Sequence, residues 1–224
     1  MSKPKKEEVE EVEAVETTTT AVATAPANQN LEFSTQDIDI PRLNVIQKMS
    51  EIEGPIGSVV IDQDAVLLQA EQKVPVIIIG ASKRWKENVP FGDEYMPKIV
   101  STEEAAKQLA LDSEYEVLEF AEIIMLIPQI GDDDDLFPYP IGDANYQIGR
   151  ITVQKDAYRL TYKRLFTFQT FNPTVSVATR LWNFGTELMS KGKYSWYVPT
   201  LSITKGEAPA QAIEFANRVT KGAL

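Results

Sequence analysis

An α+β fold rich in strands, preceded by an acidic N-terminal arm, is what this 224-residue sequence predicts, on three observations. The run Val74-Pro75-Val76-Ile77-Ile78-Ile79-Gly80-Ala81 is β-branched, continuous and bounded by turn residues, the pattern of a strand buried on both faces. Residues Thr102 to Leu111 read as a helix, with Thr102 as N-cap, Glu103 and Glu104 in the first turn, and Ala105, Ala106, Leu109 and Ala110 as its apolar side. Residues Val175 to Met189 and Tyr194 to Thr204 read as two strands joined through Ser190-Lys191-Gly192-Lys193, most simply as one long hairpin.

The remaining segments fall into place around these. Residues 1–36 form the arm: a Glu/Val run, four consecutive threonines and an Ala/Thr/Pro stretch hold too little apolar surface to offset ordering entropy, so disorder is expected there. Residues 37–224 are left as a single domain. Ile38 to Pro41 suggests an edge strand or extended lead-in, and Arg42 to Met49 a strand or short helix. Gly54-Pro55-Ile56-Gly57 marks a turn before a strand over Ser58 to Ile61. Tyr115 to Ile127 reads as a long β-rich segment, with a helix also compatible. The Gly131-Asp132-Asp133-Asp134-Asp135 and Phe137-Pro138-Tyr139-Pro140 stretches read as loop. Lys155 to Phe168 is expected to be a helix, or a helix running into a strand, and Glu207 to Lys221 a closing helix that buries Ile213, Ala216 and Val219 or near neighbours.

Composition narrows the chemistry. There is no cysteine and no histidine, which removes disulfides, thiolate metal sites, Ser-His-Asp and Cys-His triads, and imidazole as acid or base. No phosphate loop or dinucleotide fingerprint is present, no cofactor is expected, and a binder is expected rather than an enzyme. No apolar stretch approaches the roughly 20 residues needed to span a bilayer, and the N-terminus lacks the apolar core of a signal peptide. A soluble, cytoplasmic protein without a membrane partner is the expectation. The net charge is −11, yet residues 151–224 carry ten basic and four acidic side chains, a basic segment inside an acidic chain. Such asymmetry points toward nucleic-acid contact.

Three basic clusters could supply that contact. Lys83, Arg84, Trp85 and Lys86 follow the buried strand; Lys155, Arg159, Lys163 and Arg164 form a stripe if their segment is helical; and alternation puts Arg180, Trp182 and Phe184 on one side of the hairpin, with Trp196 on its second strand. A sheet with a Val/Leu inner face and an Arg/Trp/Phe outer face would stack bases on rings and hold phosphates with cations. Against this stands the ordinary use of large aromatics as core. The Asp132 to Asp135 run is expected to be a solvated loop. A metal-dependent nuclease using it with Glu119 or Glu122 is the enzymatic alternative.

With Pro41-Arg42-Leu43 as lead-in, a strand ending in Lys83-Arg84-Trp85, a central helix and the closing hairpin Trp182 to Tyr197, residues 38 to 204 resemble the single-stranded DNA-binding proteins of tailed bacteriophages. The resemblance implies an OB-like, five-stranded, partly open barrel elaborated by helices. It also implies a sequence-tolerant binder of single-stranded DNA in replication or recombination, placed in the host cytoplasm. The acidic arm would then recruit replication or recombination proteins by tethered electrostatics, and a homo-oligomer is compatible with the scheme. A structural, virion or protein-interaction module, including an acidic mimic of DNA, is the alternative from another class.

Overall fold

The two faces of one sheet divide the apolar residues of this chain into two cores. The computed structural model describes residues 39–90 and 92–221, so the arm read over residues 1–36 lies outside the described residues. In chain order the strands are β1 (Leu43–Val45), β2 (Val59–Ile61), β3 (Ala65–Leu68), β4 (Lys73–Glu87), β5 (Ile99–Val100), β6 (Val117–Pro128), β7 (Tyr139–Ile141), β8 (Ala144–Gln154), β9 (Arg180–Lys191) and β10 (Tyr194–Glu207). The helices are α1 (Glu103–Asp112), α2 (Lys155–Leu160), α3 (Tyr162–Phe171) and α4 (Ala210–Lys221). The chain is therefore α+β and strand-rich.

A seven-stranded sheet runs in the order β10-β9-β4-β6-β8-β7, with β5 beside β4, and β1, β2 and β3 form a second, smaller sheet. Alternation along the strands assigns the cores. On one face Val76, Ile78, Ile123, Met125, Ile151, Trp182, Phe184 and Leu201 pack against Leu43, Val59 and Leu68 of the small sheet and against Tyr158 and Leu165 of α2 and α3. On the other, Ile77, Ile79, Leu126 and Ile148 meet Ala212, Ala216 and Val219 of α4. The alanines spaced four apart let α4 lie close on the sheet, and the Thr220 hydroxyl donates to the Ile79 carbonyl at 3.1 Å.

The large sheet does not close into a barrel, and it has more strands than the five the resemblance implies. Where closure would fall, the residue just before β1 meets β8 at an isolated parallel bridge, Arg42 beside Arg150, with the Arg150 N–H donating to the Pro41 carbonyl at 2.9 Å. Side chains cover the outer edge of β10 in place of a strand. Gln47 Nε2 donates to the Tyr197 carbonyl at 2.8 Å, and Gln47 Oε1 accepts from the Tyr197 N–H at 3.0 Å. Further along, Arg164 Nη1 donates to the Leu201 carbonyl at 2.7 Å. Helix α2 packs on both β8 and β10 across the seam.

Several segments differ from their sequence reading for visible reasons. β4 runs on past Ala81 through the basic residues to Glu87, because β6 pairs with it over that whole length. β8 has no clear apolar signature around Asn145, Gln147, Gly149 and Arg150, yet it is eleven residues long. Its Gly149 leaves room for the Leu43 side chain, which would stand 2.9 Å from a Cβ there. The segment from Lys155 breaks at Thr161, whose backbone (φ −125°, ψ −82°) belongs to neither helix. Val177–Thr179 is a 3₁₀ turn capped by the Ser176 hydroxyl, so the first hairpin strand starts at Arg180 rather than Val175. Tyr139 and Pro140, read as the end of a loop, open a short edge strand (Tyr139–Ile141), the place in a sheet that tolerates Pro140. The hairpin itself closes as expected, with Lys191 opposite Tyr194 around Gly192 at φ +62°.

Two local contacts yield measurable consequences. Gly57 sits at φ +86°, and a Cβ on it would lie 2.7 Å from the Tyr197 ring. Gly57→Ala is expected to cost about 2 kcal/mol or more in urea denaturation, from strain and clash together. Glu87 is buried at the end of β4, and its carboxylate accepts from the Lys98 N–H at 2.8 Å. A bond from the Ser113 hydroxyl, then that N–H, hold its pKa below the ordinary 4.5 against the opposing effect of burial. Its ionised form therefore stabilises the fold above that pH, and the contribution is lost as pH falls through the lower folded-state value. Thermal melts should show Glu87→Gln less stable than wild type at neutral pH, with the gap narrowing below about pH 4.5.

Candidate nucleic-acid interface

Helix α3 is fixed in its roll by what it buries. Leu165 is in the core, Phe168 meets the Trp182 ring edge-on at 5.5 Å and 88°, and Arg164 holds the β10 edge. Helical geometry then turns Lys163, Phe166, Thr167, Thr170 and Phe171 outward. Phe166 is 62% exposed and Phe171 80%, on either side of the line through Lys163 and the two threonines. This outward face is a ridge with an aromatic on each flank and a cation between.

A trough lies on each side of the ridge. Toward β10, a groove of about 570 Å³ is lined by Arg159, Lys163, Arg164, Phe171 and the exposed Ile203. Toward β4 and β6, a cavity of about 380 Å³ is lined by Lys83, Glu119, Tyr162, Lys163 and Phe166. Lys163 borders both. In the second trough Lys83 Nζ is 2.7 Å from a Glu119 oxygen and 4.7 Å from the centre of the Trp85 ring. Burial, then the Glu119 charge, push the Tyr158 hydroxyl far above its ordinary pKa, so it stays a neutral donor. Arg159 is 3.5 Å from Asp156, whereas Lys155 and Lys163 enter no ion pair among the described residues. The exposed cations on this face thus retain charge for an anionic ligand.

The structure gathers some of the sequence-derived candidates and separates others. Arg159, Lys163 and Arg164 share the groove, Lys83 joins Lys163 in the adjoining cavity, and half-buried Trp85 lies under Lys83. Trp182 and Phe184 are corrections. They are 1% and 0% exposed, packed inside, so they cannot present rings to bases. Alternation rightly paired them on one face, but that face is the core. Arg84 and Lys86 point away from Lys83 and Trp85, because neighbours in a strand face opposite ways. They meet Glu122 at 3.4 Å and the Phe120 ring at 5.6 Å respectively. Arg180 pairs with Glu207 at 3.1 Å, apart from the ridge. Lys155 and Trp196 line a different cleft, between β8 and β10.

Phe166 and Phe171 escaped the sequence reading. The signal was present, since both fall outside the helical phase of the buried Leu165, but a segment ambiguous between helix and strand hid that phase. The four-Asp run is a turn: Asp134 accepts from Gln129 Nε2 at 2.7 Å and Asp133 from the Leu136 N–H at 3.2 Å, bracing buried Phe137. Glu119 and Glu122, three apart on β6, lie on opposite faces and each pairs with a cation. Among the described residues no cluster of three or more metal-binding side chains is arranged to hold an ion, and no helix is long and apolar enough to cross a membrane.

No protein family, curated protein or solved structure matches this chain. Acrylamide quenching of single-tryptophan variants checks the corrected placement. Emission from Trp182 alone should be well shielded, while Trp85 alone and Trp196 alone should quench measurably faster.

Proposed function

We propose that this protein binds single-stranded DNA without strong sequence preference, along the α3 ridge, in replication or recombination. The observation that carries the reading is the ridge itself: Phe166 and Phe171 exposed on either side of an unpaired Lys163, beside a groove that adds Arg159 and Arg164. Rings of this kind stack on any base, and cations hold the backbone, which is the general chemistry of sequence-tolerant single-strand binding. The net negative charge of the chain does not oppose this, because Debye screening limits distant acidic groups to roughly 8 Å at physiological salt. In the same reading the five long strands β10-β9-β4-β6-β8 are an OB-like barrel left open at the β8–β10 seam, with α2 and α3 beside the opening.

A second reading has one observation in its favour. Phe171 and Ile203 are exposed apolar side chains that line one groove, with Phe166 exposed across the ridge, and apolar surface of this sort suits a structural or protein-interaction module. The two part in a single experiment, fluorescence anisotropy of labelled oligo-dT against ionic strength. The DNA reading expects binding that weakens steeply with salt. Phe166→Ala and Phe171→Ala should each weaken it roughly 5- to 150-fold, from about 1–3 kcal/mol of stacking. Arg84→Ala and Lys86→Ala, on the opposite face of β4, should leave it within about twofold, an expectation that follows from the strand's alternation. No salt-sensitive binding by wild type, together with concentration-dependent light scattering that Phe171→Ala abolishes, would favour the protein interface instead.

A further inference from the structure

The cleft at the seam is separate from the ridge and has its own aromatic and its own cation. It measures about 430 Å³ and is lined by Trp196, Lys155, Asn44, Gln47, Thr152 and Gln154, among others. That volume lies within the range of small-molecule sites. Gln47 forms its wall rigidly, because both ends of its amide are bonded to the Tyr197 backbone. Asp156 is the acidic group on the lining, and Arg159 stands 3.5 Å from it. Lys155 is exposed, enters no ion pair among the described residues, and holds a left-handed backbone (φ +53°) at the β8–α2 junction. Such strain in a non-glycine residue persists where surrounding structure imposes it, and it clusters at ligand sites.

We propose that this cleft is a second station for the same DNA strand, in which Trp196 stacks a base and Lys155 contacts a phosphate. The inference rests on the single-strand reading above and adds a path and a length to it. Lys155 and Arg159 stand near the two ends of the short helix α2, one lining the cleft and the other the groove, so cations lead from the cleft to the groove beside α3. On β10 the cleft begins at Trp196 and the groove ends at Ile203, seven residues along one strand; the odd spacing turns these two side chains to opposite faces, so the path follows the free edge of β10, which both hollows border through consecutive residues. At roughly 3.3 Å per residue the stations are about 23 Å apart. A strand stacked at roughly 3.4 Å per nucleotide needs about seven nucleotides to reach both, and fewer if extended.

Binding of oligo-dT of about four and about twelve nucleotides by wild type, Trp196→Ala, Trp196→Phe and Lys155→Ala tests this. The longer oligonucleotide should lose roughly 5- to 150-fold in affinity on Trp196→Ala and recover most of it with Trp196→Phe, which keeps a ring. Lys155→Ala should make the slope of log affinity against log salt shallower by about 0.7, the value for one phosphate contact on a single strand. The four-nucleotide probe, too short to span both stations while its bases are stacked, should lose much less affinity than the longer one on each substitution. If wild type binds the long probe and neither Trp196→Ala nor Lys155→Ala changes that, the second station is overturned while the ridge reading stands. Equal losses on both probes also overturn it, since they indicate damage to the fold rather than loss of a distant contact. Failure of wild type to bind either probe removes the ridge reading and this inference with it.

Discussion

A strand at the end of a sheet carries N–H and C=O groups that must be bonded, wetted or covered, and β10 is such a strand. Gln47 supplies a donor and an acceptor to Tyr197, and Arg164 a donor to Leu201, so the edge is satisfied by side chains rather than by another strand. Helix α2 then occupies the seam that a closing ladder would have filled. The remaining surface geometry follows from this arrangement. Arg164 ties α3 to the edge, Phe168 seats it on Trp182, and the helix has only one roll left. Lys163, Phe166 and Phe171 face outward because nothing remains on that side for them to cover.

Magnitudes explain why the core rather than the surface claims the hairpin's aromatics. Removing a buried Phe or Trp typically costs about 3–5 kcal/mol, whereas stacking one base on an exposed ring yields about 1–3 kcal/mol. A fold that needs Trp182 and Phe184 to fill the space between the large sheet and its covering layer therefore places them there. Rings for a ligand must come from positions the core does not need, such as the outward phase of α3 and the protruding end of β10. The cations divide in the same way. Lys73, Lys83, Arg84 and Arg180 neutralise neighbouring carboxylates across strands, whereas Lys155 on α2 and Lys163 and Arg164 on α3 enter no ion pair among the described residues.

Much of the fold was legible because it is locally encoded. The Val74 to Ala81 run can only be a buried strand, Thr102 with two following glutamates starts α1 where the hydroxyl accepts from the Ala105 N–H, and Gly192 turns the hairpin. β8 was not legible, since a strand holding Asn145, Gln147 and Arg150 is defined by its partner β6 and by the Leu43 side chain lying over Gly149. The candidate site was legible in part. The stripe from Lys155 to Arg164 was visible as a cluster of charge, but the fold places Lys155, at the start of α2, on a cleft and Arg159, Lys163 and Arg164 on a groove.

By itself the sequence determined the elements with strong local periods, the absence of thiol and imidazole chemistry, and the concentration of positive charge after residue 150. Tertiary structure alone decided which face of the hairpin is interior and which aromatics reach solvent. The physical reason is that alternation and helical phase state which residues face together, a property of a few neighbouring bonds. Whether that shared face meets water or another layer depends on contacts between segments more than a hundred residues apart, as between Gln47 and Tyr197.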